Sequence, residues 1–189
     1  SRLRVQLYPA DYLDGISFKN ETFYRTDIPG TLTVLAIDLP SSIATVTRSG
    51  TRSWGKSDNE LFDIGLRNAL AATEVQQEVH TIGDSKIISF SGDDLLSAVH
   101  IFDIHKLDGA VGVYGALVGI PTRHFVLCYP INDLGAVKAV QSMATVISGM
   151  NREGPGSLSP YLYWYKEGVL EIQPYVIENH NFNFIPTLL

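Results

Sequence analysis

Leu32-Thr33-Val34-Leu35-Ala36-Ile37-Asp38-Leu39, then Pro40-Ser41-Ser42, then Ile43-Ala44-Thr45-Val46-Thr47-Arg48, is the stretch on which the fold turns. The first eight residues form a nearly continuous apolar run, the pattern of a central strand. The Pro-Ser-Ser cluster is a turn, and the β-branched run after it reads as a second strand returning antiparallel to the first. Immediately afterwards, Gly50-Thr51-Arg52-Ser53-Trp54-Gly55-Lys56-Ser57 satisfies every fixed position of the phosphate-binding pattern G-x-x-x-x-G-K-[S/T]. Such loops belong to parallel sheets, so the hairpin reading and the nucleotide reading compete.

Working outward, Arg2 to Tyr8 alternates Leu3, Val5 and Leu7 with Arg2, Arg4 and Gln6, which predicts a half-buried strand. Ser57 opens a helix, with Glu60 three residues on completing a capping box. Leu61, Phe62, Ile64, Leu66, Ala69 and Leu70 supply its apolar face, while Asp63 and Arg67 stand at i, i+4 spacing. Val75–His80 and Lys86–Ser91 are strands around Gly83-Asp84. A second helix is expected to start at Asp93-Asp94, use Leu95, Leu96, Val99 and Phe102, and end near Asp108-Gly109. Gly115–Ile120 and His124–Ile131 read as buried strands, and Asp133–Met150 as a third helix with Val137, Val140, Ala144 and Ile147 inward. A closing hairpin is expected at Tyr161–Tyr165 and Val169–Val176, turning at Glu167-Gly168. No periodic signal follows Glu178.

The order β, ββ, α, ββ, α, ββ, α, ββ predicts a single α+β domain over 1–189, with three helices packed on a largely antiparallel sheet. Leu35, Ile37, Leu66, Val118, Val126 and Leu127 are the expected core. The net charge of −6 argues against nucleic acid or an anionic membrane as partner and is compatible with a basic protein. Cys128 is the single cysteine, which excludes an intramolecular disulfide. Ser1-Arg2-Leu3-Arg4 shows no signal-peptide pattern, and Ala110–Ile131 is too interrupted to span a bilayer as one helix. A cytoplasmic protein is expected. Asn20-Glu21-Thr22 fits a glycosylation sequon, a three-residue pattern of little weight.

The candidate chemistry is thin. For nucleotide binding, Gly50, Gly55, Lys56 and Ser57 would cradle phosphate and magnesium. Against this, Ser57 is already explained as a helix cap. Trp54 and Arg52 are bulky where small residues are usual, and Asp38 precedes the loop where a Walker B carboxylate follows it. His124 and Cys128, four apart on a strand, stand about 13 Å from each other and cannot form a nucleophile–base pair. His100 and Asp103 lack a third metal ligand, and His105 does not complete the set. No metal, cofactor or catalytic group is therefore expected, and the chain is read as non-catalytic.

Tyr161, Tyr163 and Tyr165 alternate with Leu162 and Trp164, and this ladder of phenols is the favoured partner-binding face, with Arg123 as an anion-holding neighbour. Phe18, Phe23 and Tyr24, and the tail residues Phe182 and Phe184, are the other candidate anchors.

A family resemblance emerges from several clusters together. These are Leu35–Leu39; Trp54-Gly55 before Ser57–Leu61 and Asn68–Leu70; Gly83-Asp84 to Phe90 with Asp94 and Leu95-Leu96; Gly115–His124; and Ser157–Ser159 to Tyr165. Over roughly residues 32 to 175 the chain resembles the YtpQ-like family, domain of unknown function 1444. Residues 1–31 and the tail 177–189 fall outside the resemblance. It implies a structural role for Trp54-Gly55 and no established activity, cofactor or catalytic residue. The expected function is an acidic protein-binding module, of inhibitor or immunity type. Nucleotide binding through Gly50–Ser57 is the alternative.

Overall fold

The computed structural model describes residues 2–40, 42–92, 96–178 and 181–185. Its secondary structure is α+β, and all the named strand pairs are antiparallel. The chain read above as a single domain gathers into two compact units, Ser1–Glu74 and Val75–Leu189.

The first unit contains β1 (Leu3–Pro9), β2 (Tyr24–Arg25), β3 (Thr31–Leu39), β4 (Ser42–Thr45), a single helical turn α1 (Arg48–Thr51) and α2 (Asp58–Ala72). The Leu32–Leu39 run is the central strand, and the following segment does return antiparallel, with Asp38 opposite Ile43. Of the turn, Ser41 lies outside the described residues. One sheet face carries Val5 and Leu35 and is covered by α2. The fit is close: a Cβ on Gly65 would sit 2.8 Å from Leu35 Cδ1. The capping box forms as the sequence predicts, with Glu60 accepting from Ser57 N–H at 2.8 Å. Those hydrogen bonds hold the Glu60 carboxyl below the usual carboxylate range.

The other face holds Leu32 and Val34, covered by Leu13. Because both faces are covered, Gln6 is buried rather than solvent-facing. Leu35 is in the core as expected, whereas Ile37 and Leu66 are only half-buried. Asp63 and Arg67 meet through the Asp63 backbone carbonyl, not the carboxylate.

The second unit is a six-stranded sheet in the order β10-β9-β7-β8-β6-β5, with a separate β11–β12 hairpin. Its strands are β5 (Gln76–Ile82), β6 (Ser85–Ser91), β7 (Ala116–Gly119), β8 (Phe125–Pro130), β9 (Leu162–Lys166), β10 (Val169–Gln173), β11 (Tyr175–Glu178) and β12 (Asn181–Phe184). Helix α3 (Ala136–Glu153) lays Ala139, Val140, Met143 and Ile147 on Ile87, Leu117, Leu127 and Leu162. On the opposite face, register places Ile88, Cys128, Val118 and Tyr163 side by side in one row. Val118, Val126 and Leu127 are buried, as expected.

Several elements differ from the sequence reading, among them the expected strand Val169–Val176, which is split into β10 and β11. Ser97–Lys106 is a 3-10 helix kinked at Asp103 rather than an α-helix, and Asp93, Asp94 and Leu95 lie outside the described residues. Ser97, Ala98, Val99, Ile101 and Ile104 are all buried, so this segment packs on more than one side and has no single helical stripe. The tail, which lacks periodicity, nonetheless supplies β12. Phe182 packs on Tyr175 with ring centroids 5.8 Å apart.

Candidate functional site

The tyrosine ladder is not a free face. Tyr163 and Tyr165 are buried, and only Tyr161 is exposed. The cause is cross-strand register: Tyr163 stands in one row with Val118, Cys128 and Ile88, all of them buried, so the phenol face of β9 turns inward. The Tyr163 hydroxyl is satisfied internally by Ser159 Oγ at 2.7 Å, and burial pushes its pKa up to about 12. Arg123 is half-buried, with its backbone N–H donating to Gly156 O and its guanidinium lying over Gly156, where only a missing Cβ leaves room. Arg123 and Tyr161 therefore share one end of the sheet, while Tyr163 and Tyr165 belong to the core.

The Gly50–Ser57 segment folds as two short helical turns instead of an open loop. Thr47 caps the first, and Gly55 ends the second with φ 62°. Gly50 N–H already donates to Thr47, and Ser57 N–H donates to Glu60. A carboxylate thus occupies the place where a phosphate would need donors. Lys56, with Trp54, lines an apolar cavity of about 340 Å³ that includes Leu3, Ile37 and Leu61.

Cys128 is fully buried, and burial pushes its thiol up. His124 binds Thr122 Oγ1 through its backbone. Asp103 pairs with Lys106 at 2.8 Å. Among the described residues, no three His, Cys, Asp or Glu side chains converge as a metal site requires.

What the sequence reading missed is a corner at the other end of the second unit's sheet, away from Arg123. Val113, Tyr114, Leu134 and Val137 are exposed by 81%, 60%, 87% and 73% there. Single exposed apolar residues are ordinary, but three on two cross-bonded loops and a fourth, Val137, in the first turn of α3 make a patch. Val113 N–H donates to Asn132 Oδ1 at 3.0 Å, and Tyr114 N–H to Ile131 O at 2.9 Å. The Trp164 indole N–H donates to Tyr114 O at 3.2 Å, and Asp133 caps Gly135 N–H at 2.7 Å.

Backbone packs directly on backbone at this corner. A Cβ on Gly112 would lie 2.5 Å from Ile131 O, and one on Gly115 only 2.2 Å from Tyr165 O. The side chains are therefore presented from a fixed frame. The signal in the sequence was the apolar pair Val113-Tyr114 bracketed by Gly112 and Gly115, which periodicity absorbs into a buried run.

No protein-family profile, curated protein or solved structure matches the chain. Among the described residues, no helix is long and apolar enough to cross a membrane.

Proposed function

We propose that the chain is a non-catalytic protein-binding module that docks a partner on the Val113, Tyr114, Leu134, Val137 corner. The observation that carries this is the rigid display of four exposed apolar side chains. Binding surfaces gain affinity when anchors need no ordering on association, and tyrosine adds a polar tip to a large contact area. Charge supports a basic partner. The unit Val75–Leu189 holds eleven Asp and Glu against six Lys and Arg, so most of the net negative charge belongs to the unit that bears the patch. Such a field raises the encounter rate with a cationic partner.

The reading keeps the inhibitor or immunity-type role expected from the sequence and moves its surface from the tyrosine ladder to this corner. A cytoplasmic setting suits a lone cysteine held as a buried thiol. The family resemblance adds no activity to this proposal.

Photocrosslinkers placed at positions 113 and 134, with exposed Val79 on β5 as control, test it in extracts of the source cells. Adducts to a basic protein at 113 and 134, absent at 79, are the expected result. Equal labelling at all three positions overturns the docking surface. Adducts only to a second copy of the chain replace a foreign partner with self-association. Titration with magnesium-ATP and magnesium-GTP checks the nucleotide alternative independently. Binding lost in Lys56→Ala would restore it.

A further inference from the structure

The two edges of β3 are used differently. β1 runs along the whole of one edge, whereas β2 and β4 share the other, end to end. Where they meet, Phe23 N–H donates to Val46 O, Val46 N–H to Leu35 O and Leu35 N–H to Phe23 O, all within 2.9–3.0 Å. A cavity of about 360 Å³ opens beside this junction. Lys19, Arg25 and Arg48 line it together with Thr22, Tyr24 and Thr26, and no carboxylate is among its lining residues.

Both guanidinium groups are held in place from behind. Arg48 lies over the Phe23 ring at 4.6 Å and Arg25 over the Phe62 ring at 4.2 Å. The two rings are themselves in contact, with centroids 5.9 Å apart. The sequence Arg48, Phe23, Phe62, Arg25 is thus a continuous stack that fixes two planar forks around one polar space. Stacking of this kind is worth about 0.5–1 kcal/mol at exposed sites and limits the freedom of a long side chain.

Each cation has a carboxylate neighbour: Asp14 for Lys19, Asp27 for Arg25 and Asp58 for Arg48. These pairs engage only part of the donor set. Arg25 meets Asp27 through Nε, and Arg48 meets Asp58 through Nη1 at 2.8 Å. A guanidinium has five N–H donors, so both forks keep donors for another acceptor. Exposed ion pairs contribute little, and exchanging one for a doubly charged oxyanion costs little.

We propose that this cleft is a binding site for a phosphate monoester on a small hydroxylated body. The two guanidiniums and Lys19 receive the phosphate, and the hydroxyls of Tyr24 and Thr26 with the Asn20 amide receive the polar remainder; the Thr22 hydroxyl is buried and donates to Phe18 O. The cavity volume suits a monosaccharide phosphate, and the polar lining disfavours an apolar ligand. This site is independent of the protein-docking corner and of Gly50–Ser57.

The test uses the full chain, ¹⁵N-labelled, titrated separately with inorganic phosphate, glucose 6-phosphate and glucose. Amide shifts confined to Thr22–Thr26 and Arg48 are expected with the ester, weaker ones with inorganic phosphate, and none with glucose. The ester Kd should fall below about 1 mM and weaken roughly tenfold or more in Arg25→Gln or Arg48→Gln. The shift map on the native chain decides the matter even where a variant folds poorly. Absence of shifts at about 10 mM ester overturns the site. So does binding that survives both arginine substitutions, or that disappears in Lys56→Ala.

Discussion

Gly119→Ala, combined with Ile147→Ala, tests how α3 is seated on β7. A methyl at position 119 would stand 2.4 Å from Ile147 Cδ1 and 2.5 Å from Cγ1. Carbon atoms at optimal contact lie about 3.5–4.0 Å apart, so Ile147 must leave its rotamer or the helix must shift by roughly an ångström. Ile147 is fully buried, and the expected cost of Gly119→Ala is about 1–3 kcal/mol. Ile147→Ala alone removes the isoleucine's outer carbons and leaves a cavity, at a cost of about 2–5 kcal/mol.

In the double variant both offending atoms are gone. The new methyl then meets only the Cβ at position 147, at 3.7 Å, an ordinary contact, and it refills part of the cavity. Adding Gly119→Ala to the Ile147→Ala background should therefore be neutral or mildly stabilising, a coupling of roughly 1–3 kcal/mol. Equilibrium urea unfolding reads this out through Trp164, with Trp54→Phe as the background so that the signal belongs to the second unit. Costs that add to within about 0.5 kcal/mol would refute the close approach of Gly119 to Ile147.

Stability should fall in alkali for a defined reason. Cys128 and Tyr163 have folded pKa values raised above their ordinary 9.0 and 10.0 by burial, so the folded state keeps its protons longer than the unfolded chain. The contribution is intact below about pH 9 and declines as pH rises from there, the sign that follows when the native state binds more protons. Urea midpoints compared at about pH 8 and about pH 11 should drop, and Cys128→Ala should lessen the drop; an unchanged slope in that variant would exclude the thiol as a source. The β9–β10 turn places Glu167 at φ 49° and Gly168 at φ 87°, left-handed at both central positions. Glu167→Asn should raise stability by about 0.5–1 kcal/mol, since Asn tolerates that conformation better; a lower melting temperature would contradict it.

The sequence by itself determined the elements whose cause is local. The Ser57–Glu60 cap, the Gly83-Asp84 and Glu167-Gly168 turns, and the apolar runs of β3 and β8 are each specified by neighbouring residues, and each forms where it was read. The return of β4 along β3 and the cap that follows at Ser57 were also specified locally, by the Pro-Ser-Ser cluster and by Glu60.

Tertiary structure alone decided which faces are covered. The phenols of β9 alternate as an exposed face would, yet register sets Tyr163 and Tyr165 in line with the buried Val118 and Ala116 on the inward face of the sheet. Gln6 is buried for the same kind of reason, since Leu13 and its neighbours cover the second face of a sheet that alternation marks as half-open. Conversely, Val113 and Leu134 are apolar but stand in solvent, because glycines at 112 and 115 let backbone close on backbone and leave no interior for those side chains. The arginine cleft is likewise invisible in the chain order. Arg25 and Arg48 are 23 residues apart, and only the meeting of β2 with the segment that leads from β4 into α1, along one edge of β3, brings their charges to the same cavity.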